Sequence, residues 1–194
     1  RRDAVVIDNR YGAWNAVRYL VHCGHTRLGY LHSNVDIRNF RERCDGYLSA
    51  VRSIQEPDNS SAQRIIRVGT TLEAAAADMA AYLATDPLLP TAFFADNDII
   101  AVGCCRALLN AGYRIPQNVS IVGFDDTAIC QFIEPQLTTM SVPKERLGAL
   151  AVDRLDRLIH GTSSENIRIS LVPEIMIRDS VYDFTASQPA PSGK

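Results

Sequence analysis

The sequence predicts an α/β fold in which parallel strands are flanked by helices in a three-layer arrangement. Short apolar runs of strand length alternate with longer amphipathic segments along nearly the whole chain. Single helical segments separate successive runs, which is the spacing of right-handed crossovers between parallel strands. The composition agrees, with 46% hydrophobic and 22% charged residues, enough apolar material for real cores beneath an ordinary polar surface.

Each element has its own signal. Residues 4–7 form a short apolar run ended by Asp8-Asn9. Residues 13–23 follow with helical spacing, placing Trp14, Val17, Leu20 and Val21 on one stripe, and Gly24 stops them. A strand is expected at 28–31 and a helix at 41–54, with Cys44, Tyr47, Leu48 and Val51 facing inward. The polar stretch 55–63, with Pro57, reads as a loop. Residues 64–68 are a strand and the alanine-rich stretch 71–84 a helix. A strand at 91–94 leads into a helix at 98–111, stopped by Gly112. The β-branched run 119–124 is a strand, residues 128–133 a short helix, and 144–159 a long amphipathic one. Residues 167–177 are extended and interrupted by Pro173, and the tail from Ser187 is expected to be disordered.

Composition and motifs exclude several function classes. The net charge of −2 offers no global basic footprint for nucleic acid. No apolar run approaches the roughly 20 residues of a membrane helix. The chain opens at Arg1 without a methionine and reads as a fragment of something longer. Its five cysteines (23, 44, 104, 105, 130) lack C-x-x-C spacing and read as reduced, buried thiols. The four histidines are scattered, so no metal is expected. There is no G-x-G, no phosphate-binding loop, no G-x-S-x-G elbow and no H-E-x-x-H. No cofactor and no catalytic residues are assigned, and the chain is not expected to be an enzyme.

What remains is a set of polar residues just beyond strand ends. Asp125 and Asp126 follow the strand at 119–124, Asn97 and Asp98 follow the strand at 91–94, and Arg43 lies early in the helix after 28–31. In a doubly wound sheet such residues share one edge and can converge on a ligand. An arginine fork, an amide and a carboxylate suit a neutral polyhydroxyl compound. Local readings compete: Asp98 as a helix N-cap, Asn97 as a turn residue, Asp126 as a cap or surface group, and Asp125 as ligand anchor, cap or reacting group.

Six motifs then fall in order: Asn97-Asp98-x-x-Ala101-x-Gly103, Gly112-x-x-Ile115-Pro116, Val119 through Asp126, Pro135-x-Leu137-Thr138-Thr139, Leu147-Gly148 and Arg178-Asp179-Ser180-Val181. Asp8-Asn9, Gly24-His25 and Arg43-x-x-Gly46-Tyr47 fit upstream. Over about residues 3–182 the pattern resembles the effector-binding core of LacI/GalR-type transcriptional regulators. The resemblance implies a two-lobed periplasmic-binding-protein-like fold, crossed three times by the chain, with a ligand in the cleft. By that analogy residues 1–31 and 141–171 form the headpiece-proximal lobe, incomplete in this chain. Residues 32–140 and 172–184 form the distal lobe, and 185–194 a disordered tail.

The same resemblance implies that Arg43, Asn97 and Asp125 bind the effector, with Asn39 and Asp98 as further contacts. It implies a cytoplasmic homodimer or dimer-based tetramer that meets operator DNA through an N-terminal helix-turn-helix, and a sugar or sugar phosphate as effector. Three positions depart from the family pattern. Val142-Pro143 stands where Gln-Pro is common, Thr70-Thr71 where many members carry an aromatic ring, and Ile37 where some use a polar contact. A periplasmic solute-binding protein of the same fold is the rival expectation.

Overall fold

The computed structural model describes residues 3–54, 64–161 and 165–186. The expected loop at 55–63 and the tail from 187 lie outside the described residues. In chain order the elements are β1 (Ala4–Ile7), α1 (Asn9–His22), β2 (Leu28–Ser33), α2 (Arg38–Ser53), β3 (Ile65–Val68), α3 (Leu72–Leu83) and β4 (Ala92–Ala95). They continue with α4 (Asp98–Asn110), β5 (Ser120–Asp125), α5 (Ile129–Phe132), β6 (Thr138–Ser141), α6 (Lys144–Ile159), β7 (Arg168–Leu171) and β8 (Glu174–Met176).

Six strands form one sheet in the order β3-β2-β4-β5-β6-β8, parallel throughout except that β8 runs antiparallel to β6. The chain leaves β2 for β3 on one side and then returns to β4 on the other. Such a reversal opens a crevice at the carboxyl ends of the two central strands.

Side-chain alternation along the strands splits the core in two. Tyr30, Ala92, Phe94, Val122 and Phe124 face α1 and α2, where they meet Ala13, Val17, Leu20, Tyr47 and Val51. Leu31, Phe93, Ala95 and Ile121 face α3 and α4, against Ala75, Met79, Ile100 and Leu108. Phe93 and Phe94 are both fully buried, on opposite faces. Each contributes about 1.5–3 kcal/mol through burial. Gly46 lets α2 lie directly on α1, because a Cβ there would overlap the carbonyl of Arg10. This close packing brings the first turn of α1 against the second and third turns of α2, beside the crevice.

A second, two-stranded parallel sheet pairs β1 with β7, from Ala4↔Arg168 to Ile7↔Leu171. Helix α6 lies against β1, and its buried Arg154 holds Asp3 at 2.7 Å. The chain passes between the two sheets three times, at Asp8, at Val142-Pro143 and at Val172-Pro173. The first and third passages are tied together, since the Asp8 amide donates to the Leu171 carbonyl at 2.8 Å.

The expected lobe boundary at residue 31 is displaced. Only Ala4–Ile7 pairs with Arg168–Leu171, whereas α1 and β2 belong to the large sheet. The cause is packing: α1 buries Ala13, Ala16, Val17 and Leu20 against that sheet, and its Gly12 fits against Phe124 and Pro173. Strand β6 is a further difference. Residues 138–141 carry no apolar strand pattern, yet the segment pairs with β5 and β8. No described helix is long and apolar enough to cross a membrane.

Candidate functional site

The crevice at the carboxyl ends of β2, β4 and β5 is organised around Arg43. Helix α2 begins at Arg38, so Arg43 lies in its second turn, pointing inward with 4% of its surface exposed. Its guanidinium is engaged on every nitrogen. Nε donates to Asn9 Oδ1 at 2.9 Å, Nη1 to the Asp96 carbonyl, and Nη2 to Asp125 Oδ1 at 2.9 Å. The Phe124 ring lies beneath, 3.7 Å from the guanidinium carbon. Three of the five N–H donors are thus fixed by the protein, and an aromatic face supports the plane.

Asp125 is the last residue of β5 and half-exposed. Its φ is +101° and that of Asp126 is +50°. A non-glycine residue held there carries strain of about 1–3 kcal/mol, and such strain gathers at functional positions. The turn swings the Asp125 carboxylate toward Arg43. Asp126 turns the other way, where Arg178 Nη2 donates to Oδ1 at 2.6 Å, and its carbonyl accepts from Lys144 Nζ at 2.9 Å. The pair therefore divides into one carboxylate in the crevice and one in a structural ion pair. Lys144 opens α6, so this second bond spans the passage at Val142-Pro143.

Below the crevice lies a buried polar network. Asp96 is fully buried and accepts from the Tyr30 hydroxyl, from His32 Nδ1 at 2.6 Å and from the Ser33 amide at 2.6 Å. Because the carboxylate accepts, Nδ1 carries the proton. Burial and the nearby Asp96 charge push the Tyr30 hydroxyl pKa far above its ordinary value. Tyr30 is sandwiched among His32, Tyr47 and Phe94, with ring centroids 4.8–5.3 Å apart. Asp96 thus fastens the end of β2 with its side chain while its carbonyl holds Arg43.

Asn9, 3% exposed, completes the frame: Nδ2 donates to Glu42 Oε2 at 3.1 Å and to the Ile7 carbonyl at 3.3 Å. Burial raises the Glu42 pKa, but hydrogen bonds from Arg38 and Asn9 outweigh that and hold it below the usual range.

The expected site residues separate into three groups. Arg43 and Asp125 are brought into direct contact. Asn39 is exposed on the first turn of α2, one helical turn before Arg43. The helix-cap role expected of Asp98 falls to Asn97. Asn97 caps α4, its Oδ1 accepting from the Ile100 amide at 2.9 Å. Asp98 is fully buried: Oδ1 accepts from Thr139 Oγ1 at 2.5 Å, and Oδ2 from the Thr127 amide at 2.7 Å and from its hydroxyl at 2.9 Å. Asp98 is therefore withdrawn as a ligand contact. Both its oxygens pin α4 to the β5–α5 turn and to β6, and burial raises its pKa against those hydrogen bonds.

Sequence reasoning missed Asn9, Asp96 and Phe124 as parts of the site. In the sequence Asp8-Asn9 is only the end of an apolar run and a short motif, and Asp96 stands immediately before Asn97-Asp98. Of the family departures, Thr71 caps α3 through the Ala74 amide at 3.2 Å, and Ile37 is exposed at the start of α2. Among the described residues no group of three or more His, Cys, Asp or Glu side chains could hold a metal ion. All five cysteines are free, and burial pushes the Cys105 thiol up to about 12.

Residues 17–181 match the family model for the periplasmic binding protein-like domain. The ribose operon repressor of Escherichia coli is 32% identical over 180 residues, covering 92% of this chain and 53% of the repressor. The HTH-type transcriptional repressor PurR of Haemophilus influenzae is 33% identical over 186 residues, covering 91% of this chain and 53% of that protein. The chain thus spans about half the length of the curated relatives it matches. Among solved structures, a LacI-family transcriptional regulator from Enterococcus faecium with bound ribose superposes with a TM-score of 0.84 at 27% identity. That match covers 94% of this chain and 66% of the other. The complex of the transcriptional regulator CelR with cellobiose gives 0.82 at 29% identity, over 92% and 54% of the two chains. The parallel sheet with its topological reversal, the three passages between sheets and these matches lead to one conclusion: the chain belongs to the periplasmic binding protein-like domain family, on the side of LacI-family transcriptional regulators.

Proposed function

We propose that this chain is the effector-sensing core of a bacterial transcriptional regulator and binds a small sugar-like molecule between its two sheets. The carrying observation is the Arg43–Asp125 pair at the convergent strand ends, framed by Asn9 and Asp96 and floored by Phe124. Guanidinium N–H groups not committed to the protein donate to sugar oxygens, and the Asp125 carboxylate accepts from sugar hydroxyls. Asn39, exposed on the first turn of α2, and Asn97, at the start of α4, are assigned further polar contacts to the effector.

In this reading β1, β7 and α6 belong to the lobe nearer DNA and the six-stranded sheet is the distal lobe, with the three passages as hinge. A ligand that binds the closed cleft better than the open one shifts the lobe equilibrium by its differential affinity. Operator DNA is met through an N-terminal helix-turn-helix in a cytoplasmic homodimer or dimer-based tetramer, and the chain performs no catalysis. Its matched relatives are repressors, which favours a regulator over a transport protein.

A thermal-shift screen of the intact protein with ribose, cellobiose and sugar phosphates tests the reading. A binder present at 100 times its Kd adds about 2.7 kcal/mol of stability, several degrees in melting temperature. A flat response across neutral and phosphorylated sugars would count against it.

A further inference from the structure

We infer that Asn9 is a positioning residue that couples the orientation of Arg43 to the hinge; its ligand arm rests on the effector reading above. Asn9 is the first residue of α1, directly after the passage at Asp8, and it is 3% exposed. Its amide makes three bonds to three different parts of the molecule. Oδ1 accepts from Arg43 Nε, while Nδ2 donates to the carboxylate of Glu42 and to the carbonyl of Ile7, the last residue of β1. Arginine only donates, and carboxylates and carbonyls only accept, so the amide has one chemically consistent orientation. The Asn9 side chain thus joins the crevice to the strand on the far side of the first passage.

The consequence is mechanical. Arg43 is held in plane by three acceptors and one ring. Two of the acceptors, Asp96 and Asp125, belong to the large sheet, and the third, Asn9, also grips β1. A movement of β1 relative to α2 displaces the Asn9 amide and releases or tilts the Arg43 fork. Effector affinity then depends on hinge position, and by reciprocity a bound effector restrains the hinge. Asparagine fits because it is small, uncharged, and both donor and acceptor. Aspartate would keep the acceptor for Arg43 but lose the donor to Ile7, and leucine would lose both.

That asymmetry gives the test, made on the intact protein as wild type, Asn9→Asp and Asn9→Leu. Amide exchange of Asp8, whose N–H bonds Leu171 across the hinge, is expected to quicken roughly tenfold or more in both variants. Exchange of the Arg43 Nε–H, followed by NMR, is expected to quicken in Asn9→Leu and to stay slow in Asn9→Asp. With ribose as probe, calorimetry is expected to show about tenfold weaker binding in Asn9→Leu and less than threefold in Asn9→Asp. Asn9→Leu is expected to have no further effect in an Arg43→Met background. A merely structural role would instead give equal losses in both variants and additivity with Arg43→Met. Equal Nε–H exchange in the two variants, or unchanged Asp8 exchange in both, overturns the inference. If wild type fails to bind ribose, that bears on the effector reading, and the two exchange measurements still decide the role of Asn9.

Discussion

Replacing Asp125 by glycine separates ligand binding from stability. The loss of the ion pair to Arg43 costs little, because the Asp125 side chain is 32% exposed and water screens it. We take about 1 kcal/mol. Arg43 keeps its bonds to Asn9 and to the Asp96 carbonyl and its seat on Phe124, so its buried charge is not abandoned. Against that cost, glycine removes the strain of a side chain at φ +101°, about 1–3 kcal/mol. The added conformational freedom of the unfolded chain takes back about 0.5–1 kcal/mol. The three contributions nearly cancel, so the variant is expected to melt within a few degrees of wild type.

Binding has no such compensation. A lost hydrogen bond from a ligand to a charged group costs about 1.5–3 kcal/mol, so affinity for the responding sugar falls by roughly 10- to 150-fold. Calorimetric titration beside a thermal melt reads both quantities on one sample. Unchanged affinity would remove Asp125 from the ligand, and a melting loss of more than about 10 °C would make it a structural residue.

Other expectations follow from the same geometry. Asp98→Ala strips three hydrogen bonds from a fully buried site and should destabilise the protein by about 2–4 kcal/mol in denaturant melts; a cost under 1 kcal/mol would mean the network is idle. Asn97→Ala removes the α4 cap and should cost about 1 kcal/mol in the same melts, with near-zero loss contradicting the cap assignment. His25 is buried between Thr91 and the Tyr182 carbonyl, and burial lowers its pKa below 6.5. The unfolded chain then binds the extra proton first, so this contribution to stability is complete above about pH 6.5 and lost as pH falls toward the lowered folded value. Wild type should therefore lose more stability than His25→Gln between pH 7.5 and 5, and identical slopes would count against the clamp. In a thiol-reagent time course Cys44, half-buried, should react before Cys105, which is buried with its pKa near 12; the reverse order would be inconsistent with the packing.

Much of this molecule was legible in its sequence, for identifiable reasons. Apolar runs such as 119–124 are dictated by burial within a sheet, and burial writes itself into residue type. Arg43 and Asp125 could be named because polar residues beyond apolar strand ends are anomalous. What failed to show was long-range or polar. Strand β2 runs on through His32 and Ser33, two polar residues buried only because Asp96, more than 60 positions away, satisfies them. Strand β6 consists of Thr138-Thr139-Met140-Ser141, where the Thr138 amide donates to Ser180 Oγ, the Thr139 hydroxyl donates to Asp98 and the Thr138 hydroxyl accepts from the Arg178 amide. The shift of the α4 cap from Asp98 to Asn97 is one residue in extent, and either residue type caps a helix equally well. The lobe boundary lay beyond reach, because a strand's sequence does not say which sheet it joins.

The central claim is that Arg43 and Asp125 together hold a sugar-like effector in the crevice. A crystal structure of the intact protein grown with ribose, or with whichever sugar most raises its melting temperature, tests this most directly. Sugar oxygens are expected within hydrogen-bond distance of both the Arg43 guanidinium and the Asp125 carboxylate. A bound sugar that touches neither would contradict it.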